Sequence, residues 1–299
     1  MTTTTTYTSM TTTTPTITAV SAPITEATIA DYVMYLARLE KTPNTIENYE
    51  RYVRRLVRFL DGRPLTVDLA IIWKQDLSQS PLSSSTINLC ISAANSFFRF
   101  LGREDCLLKR LRVQPKPYRD ASRDLRKDDF SRLVNAAKHA GRKREALLLE
   151  TLGGTGIRVS ELRYITVEAA RAGRAEISLK GKVRTILIPA AVRKNLLFYA
   201  REHAISSGPI FLTAAGTPMD RRRVWAALKA LSPLAGVART KVFPHNLRHL
   251  FAVTFYSAYR DIAALADILG HSSTNTTRIY LRTTGEEHVR RLDALGLVA

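Results

Sequence analysis

The chain has 299 residues, enough for two domains that each bury a core of ordinary size. Its 45 Lys and Arg against 26 Asp and Glu give a net charge of +19, spread along the chain, which favours a polyanionic partner and nucleic acid first. No apolar run approaches the roughly 20 residues that span a bilayer, no basic-then-apolar leader opens the chain, and Cys90 and Cys106 belong to no CxxC or Cys/His cluster. A membrane span, a disulfide framework and a structural zinc site are therefore excluded, and a cytoplasmic location is expected.

Residues 1–22 are threonine-rich, with too few apolar side chains to offset the entropy of ordering them, and are expected to be a disordered tail. From residue 23 the pattern turns helical. Ile29, Tyr32, Val33, Leu36 and Leu39 recur at three and four, and Ile46, Tyr49, Val53, Leu56 and Leu60 do so again after "TPNT", where Thr42 or Asn44 can cap. The second helix also carries Arg51, Arg54, Arg55 and Arg58 as a basic stripe, which no acid interrupts at the same spacing and which suits phosphate contact. "SPLSSSTINLCISAANSFFRFLG" predicts a capped helix with Ile87, Ile91, Ala94, Phe98 and Leu101 inward. These elements make an N-terminal helical domain over 23–112.

Residues 113–124, with two prolines and no helical period, predict an interdomain linker, and 125–299 a second domain. Here "DDFSRLVNAAKHAG" and "KREALLLETLGGTG" read as helices, the second ended by its glycines. "AEISLKGKVRTILIP" alternates on both sides of a glycine-containing turn, the mark of a β-hairpin. "MDRRRVWAALKAL" puts Arg221, Arg222 and Arg223 at a helix start, where phosphate or base-edge contact is reasonable. The expected architecture is mainly α, with a small sheet in the second domain.

Four places in the second domain offer cationic or imidazole groups. In "TGIRVSELRYI", Arg158 stands near a helix start, where it meets an anion or pairs with Glu161. In "FPHNLRHLFAVTFYSAY", Leu247, Leu250, Phe251, Thr254 and Ala258 make the inward stripe, while His245 and Arg248 lie one turn apart near the helix start. The positive helix end there favours a neutral imidazole suited to proton transfer. In "LGHSSTNTTRIY", His271 follows a helix end and Tyr280 lies nine residues on, in a short helix reached through a polar connector, Ser272 to Thr277. The fourth place is the hairpin turn, with Lys180 and Lys182.

"TGIRVSEL", "HNLRH", "LGH" and the tyrosine nine residues beyond resemble, in order and spacing, the signature of the tyrosine recombinase, or phage-integrase, family over about residues 125–285. "TPNTIENYERYVRRLVRFL" resembles that family's SAM-like core-binding domain. With no room for a folded arm-binding domain before residue 23, the likeness is to Xer-like or transposon and plasmid members. The resemblance implies a mixed α/β catalytic domain and a metal-free, ATP-free reaction through a 3′-phosphotyrosine. By residue it implies that Arg158 and Arg248 clamp the phosphate, His245 acts as base, His271 hydrogen-bonds the phosphate and Tyr280 is the nucleophile. Lys180 would be the general acid, with Lys182 as the alternative because the turn is one residue short. Leu250 departs from the small hydroxyl residue common at its position. The implied partners are double-stranded DNA bearing a specific site, three further copies in a tetramer of two dimers, and accessory DNA-bending proteins. Val289, Leu292, Leu295 and Leu297 would form a C-terminal segment docking on a neighbouring copy. The rival expectations are type IB topoisomerase-like relaxation and a non-catalytic DNA-binding member of the fold.

Overall fold

A computed structural model describes residues 23–112, 121–179, 182–271, 273–278, 280, 289–290 and 293–295. The expected tail 1–22 and most of the expected linker, 113–120, lie outside these. The described residues form two compact units, one within Met1–Pro115 and one within Lys116–Ala299.

The first unit packs four helices, α1 (Glu26–Arg38), α2 (Pro43–Leu60), α3 (Val67–Gln79) and α4 (Ser84–Phe100). Each start has a local cause. Thr25 and Thr28 form a capping box on α1, Thr42 precedes Pro43 at the first turn of α2, and Thr66 and Ser83 accept backbone N–H groups of α3 and α4. Ile29, Tyr32 and Leu36 meet Val53, Leu56 and Leu60 and the α4 face Ile87, Ile91, Ala94, Phe98 and Leu101 in one core around Trp73. Leu39, expected inward, lies past the last turn of α1 and is 47% exposed. Asn88 and Asn95 of α4 each clasp one residue of the departing chain. Asn88 exchanges two bonds with the Leu111 backbone (3.0 and 2.7 Å), and Asn95 does the same with Leu108 (2.8 and 2.9 Å).

The second unit contains α5 (Lys127–His139), α6 (Lys143–Thr155), a 3₁₀ turn (Val159–Tyr164), α7 (Val167–Ala172), β1 (Arg174–Leu179), β2 (Lys182–Leu187), α8 (Ala190–Glu202) and α9 (Arg221–Lys229). It continues with α10 (Ser232–Ala235), α11 (Pro244–Tyr259), α12 (Ile262–Leu269) and α13 (Thr274–Arg278). β1 and β2 pair antiparallel, with Ile177 opposite Arg184 and Leu179 opposite Lys182. Ala175, Ile177 and Ile186 turn into a core shared with Leu148, Leu149 and Leu152 of α6 and Leu196 of α8.

Three expectations need correction. Of the glycines expected to end α6, only Gly156 does so, and the helix runs through Gly153 and Gly154. A methyl group at Gly153 would stand 2.7 Å from Phe130, and one at Gly154 3.0 Å from Val192, so these glycines admit close neighbours and tertiary packing overrides their weak helix propensity. The inward face of α11 is Leu247, Arg248, His249 and Ala252 together with Pro244 and Asn246, whereas Ala258 is exposed. The 3₁₀ turn, not an α-helix, follows Arg158.

Both cysteines are free and buried. Among the described residues no helix is long and apolar enough to cross a membrane, and no cluster of three or more His, Cys, Asp or Glu is placed to hold a metal ion.

Candidate active site

Four chain segments of the second unit converge on one cleft of about 350 Å³, whose wall includes Arg158, Arg221, His245, Arg248, His271 and Tyr280. Each is placed by a local device. Gly156, with φ of +62°, ends α6 in a conformation that side chains rarely adopt and turns the chain so that Arg158 precedes the 3₁₀ turn. There Glu161 accepts from the Arg158 backbone N–H at 2.8 Å and from its guanidinium at 3.0 Å. The pairing of Arg158 with Glu161 and its place beside an anion-sized cleft are thus both present, since the guanidinium stays 43% exposed.

Arg248 is the opposite case. Only 2% exposed, it donates to the carbonyl of Gly156 at 2.6 Å, to the carbonyl of Leu269 at 2.8 Å and to Nε2 of His271 at 2.8 Å. Burial opposes its charge, while a hydrogen bond to Tyr280 supports it. His271 follows Gly270, the left-handed cap of α12, and its Nδ1 lies 2.7 Å from Oγ1 of Thr277, a fully buried side chain. Burial, then the guanidiniums of Arg248, Arg158 and Arg184, push the His271 imidazole down to about 4. His245 is likewise pushed below the ordinary histidine range, by burial first and then by Arg248, Arg158 and Arg221.

Tyr280 is 7% exposed and lies among three imidazoles, with ring centroids 5.8 Å from His245, 5.5 Å from His249 and 5.9 Å from His271. It sits beyond α13, and Thr274 to Thr277 of the expected polar connector are helical. The guanidiniums of Arg158 and Arg248 and the imidazoles of His245 and His271, both held toward the neutral form, line the cleft together with this phenol.

The remaining expected residues fall into separate groups. Lys180 lies outside the described residues, and Lys182 opens β2 but its side chain lies outside them too. Arg221, Arg222 and Arg223 form an exposed first turn of α9, capped by Asp220. The stripe on α2 is not free of acids. Arg54 is held by Glu50 of its own helix (3.0 Å) and by Glu26 of α1 (2.7 Å), and the groove beside it also carries Glu47. Arg51 is bonded to Asn48 at 2.7 Å, whereas Arg55 and Arg58 have no acid partner among the described ion pairs. Of the C-terminal apolar residues, Val289 and Leu295 are exposed, and Leu292 and Leu297 lie outside the described residues.

Two residues beside the cleft have partners that the sequence reading did not give. Glu161, 3% exposed at its side chain, receives Arg184 of β2 at 2.6 Å as well as Arg158. His249 stands next to Tyr280 with Nε2 3.7 Å from Asp124. The signal for Glu161 was its spacing from Arg158; nothing local pointed to Arg184.

The profile of the phage integrase family matches residues 123–287, and that of the phage integrase N-terminal SAM-like domain matches residues 27–105. The tyrosine recombinase XerA of Thermococcus kodakarensis is 32% identical over 246 residues, covering 80% of this chain and 84% of the relative. A lambda integrase dimer bound to a COC′ core site superposes with a TM-score of 0.67 at 17% identity, covering 87% of this chain and 77% of that one. A lambda integrase tetramer bound to a Holliday junction gives 0.64 at 17% identity, covering 85% and 76%. The fold is that of the DNA strand-transfer enzymes these comparisons share. The chain belongs to the phage integrase family of tyrosine recombinases, enzymes that cleave and rejoin DNA.

Proposed function

We propose that this chain recombines DNA at a specific site, with Tyr280 as nucleophile and the cleft around it as the whole of the phosphate-activating machinery. The observation that carries the assignment is the convergence of Arg158, His245, Arg248 and His271 on one buried phenol. The Tyr280 oxygen attacks the phosphorus and its proton passes to His245, whose depressed pKa keeps it neutral and able to accept. The bond from phosphorus to the 5′-oxygen breaks, that oxygen takes a proton from the hairpin lysine, Lys180 or Lys182, and a 3′-phosphotyrosine remains. Arg158 and Arg248 neutralise the charge that builds on the non-bridging oxygens, each such donor being worth about 3 to 4 kcal/mol. A 5′-hydroxyl from another strand reverses the step, so neither ATP nor metal takes part.

Residues 23–112 and 125–299 then form a core-binding and a catalytic domain that clamp duplex DNA from the cytoplasm. Arg221, Arg222, Arg223, Arg51, Arg55 and Arg58 meet the DNA backbone. Four copies assemble as two dimers, the same number as in the lambda integrase tetramer bound to a Holliday junction, with accessory DNA-bending proteins where the site requires them.

Covalent capture tests the reading. A library of nicked duplexes with a randomised core is incubated with the protein and resolved on a denaturing gel. Wild type should form an adduct that Tyr280→Phe does not. An equal adduct from both would overturn the nucleophile, and relaxation of supercoiled plasmid without strand exchange would assign the protein to topoisomerase chemistry.

A further inference from the structure

Arg184 lies on β2, away from the cleft wall, yet its two terminal nitrogens join two parts of the site. One donates to Oε1 of Glu161 at 2.6 Å, the carboxylate that also grips the backbone and guanidinium of Arg158. The other donates at 2.8 Å to the carbonyl of Ile268, in the last turn of α12. The next carbonyl, Leu269, is taken by Arg248 at 2.8 Å. Two guanidiniums therefore cap successive carbonyls at the negative end of α12, directly before Gly270 and His271. Gly270 is shaped around this contact. Its φ is +63°, and a methyl group there would stand 2.3 Å from Cδ of Arg184.

The arrangement is a poor way to gain stability. The Arg184 side chain is 13% exposed, its Nε is buried without a partner, and burial works against its charge. Buried ion pairs of this kind are commonly matched by apolar residues of the same volume. A geometric task explains it better.

We propose that Arg184 is a positioning residue for strand cleavage, a brace that holds the His271 imidazole and the Arg158 guanidinium in fixed relation through Ile268 and Glu161. The proposal rests on the recombinase reading for its second readout only; the first needs no DNA. The charged, titratable and hydrogen-bonding groups facing His271 are Arg248, Arg158, Arg184, Glu161, Thr277 and Tyr280. Losing Arg184 removes one cation and leaves Glu161 with only Arg158, so the His271 imidazole should titrate at higher pH than in wild type.

The test compares Arg184→Met, Arg184→Lys and Gly270→Ala. The His271 resonances are followed by NMR against pH in the DNA-free full chain, and adduct formation and affinity are measured on the captured nicked duplex. Arg184→Met should displace the His271 titration upward and slow adduct formation at least tenfold while duplex affinity changes less than twofold. Arg184→Lys, which keeps the charge but not the fork, should slow the adduct without restoring the wild-type His271 shifts. Gly270→Ala should resemble Arg184→Met, and the double variant should be no worse than either single one. An unmoved His271 titration in Arg184→Met, or adduct formation slowed less than tenfold, overturns the brace. Should Arg184→Met fail to fold, Arg184→Lys decides on the same two readouts. If wild type forms no adduct, the recombinase reading fails and the His271 titration alone decides the positioning.

Discussion

Arg248 donates to Nε2 of His271 at 2.8 Å, and that contact fixes which ring nitrogen carries the proton. A guanidinium has donors only, so Nε2 must offer its lone pair. Nδ1 then carries the proton and donates to Oγ1 of Thr277 at 2.7 Å. His271 is a neutral imidazole of defined tautomer, as its depressed pKa of about 4 requires. To donate from Nε2 to an anion, His271 would have to release Arg248 and carry its proton on Nε2 instead of Nδ1.

The same pair makes stability depend on pH. A histidine titrating near its ordinary 6.5 when unfolded and at about 4 when folded binds more protons in the unfolded state between those values. Stability is therefore full above pH 6.5, falls as pH drops through that window and levels below about 4. His245, lowered in the same direction, adds to the fall. Thermal melts between pH 7.5 and 4 should show it, and His271→Gln should flatten the lower part of the curve.

Arg248→Lys is expected to behave as a severe change. An ammonium does not reproduce the fork that serves Gly156, Leu269 and His271. Leaving two of these buried acceptors unmet costs about 1 to 3 kcal/mol each. For a domain of this size that lowers the melting temperature by roughly 4 to 24 °C. Adduct formation should fall by about 10²- to 10³-fold, as for other lost transition-state donors. A melt unchanged within 1 °C, as a calorimetric scan would show, contradicts the bonding described.

Tyr280 packs beside the His245, His249 and His271 of its own chain. Cleavage in cis is the expected outcome. An equimolar mixture of Tyr280→Phe and Arg158→Ala should form no more adduct than Arg158→Ala by itself, because neither protein has a complete cleft. Recovery of adduct on the gel would mean that the tyrosine crosses between copies.

The basic residues should separate in salt titrations. Arg221 is exposed on the cleft wall, whereas Arg54 is neutralised by Glu26 and Glu50. Arg221→Gln should reduce the slope of log affinity against log salt by about 1. Arg54→Gln should leave that slope nearly unchanged. Equal slopes for both variants, measured by fluorescence anisotropy on one duplex, would remove the distinction.

These differences mark how far the chain alone discloses the protein. Spacings within one element were readable: His245 and Arg248 one turn apart, the alternation of the hairpin, the inward face of α4. Contacts across the chain were not. Arg248 reaches a carbonyl 92 positions away, and Arg54 an acid 28 positions away, and no local pattern encodes either. Gly153 and Gly154 misled for a related reason. Their intrinsic preference is to end a helix, and Phe130 and Val192, from other elements, decide otherwise.

Asn88 and Asn95 give the first unit something a bundle of helices ordinarily lacks. Each amide offers both a donor and an acceptor to one backbone residue, Leu111 and Leu108 respectively, as a neighbouring strand would. The extended stretch at that end is thus paired without a sheet, and its N–H and C=O groups at these positions are not left as a template for another chain. For a protein drawn to high local density on a polyanion, that is protection against sticking to its own kind in the wrong way.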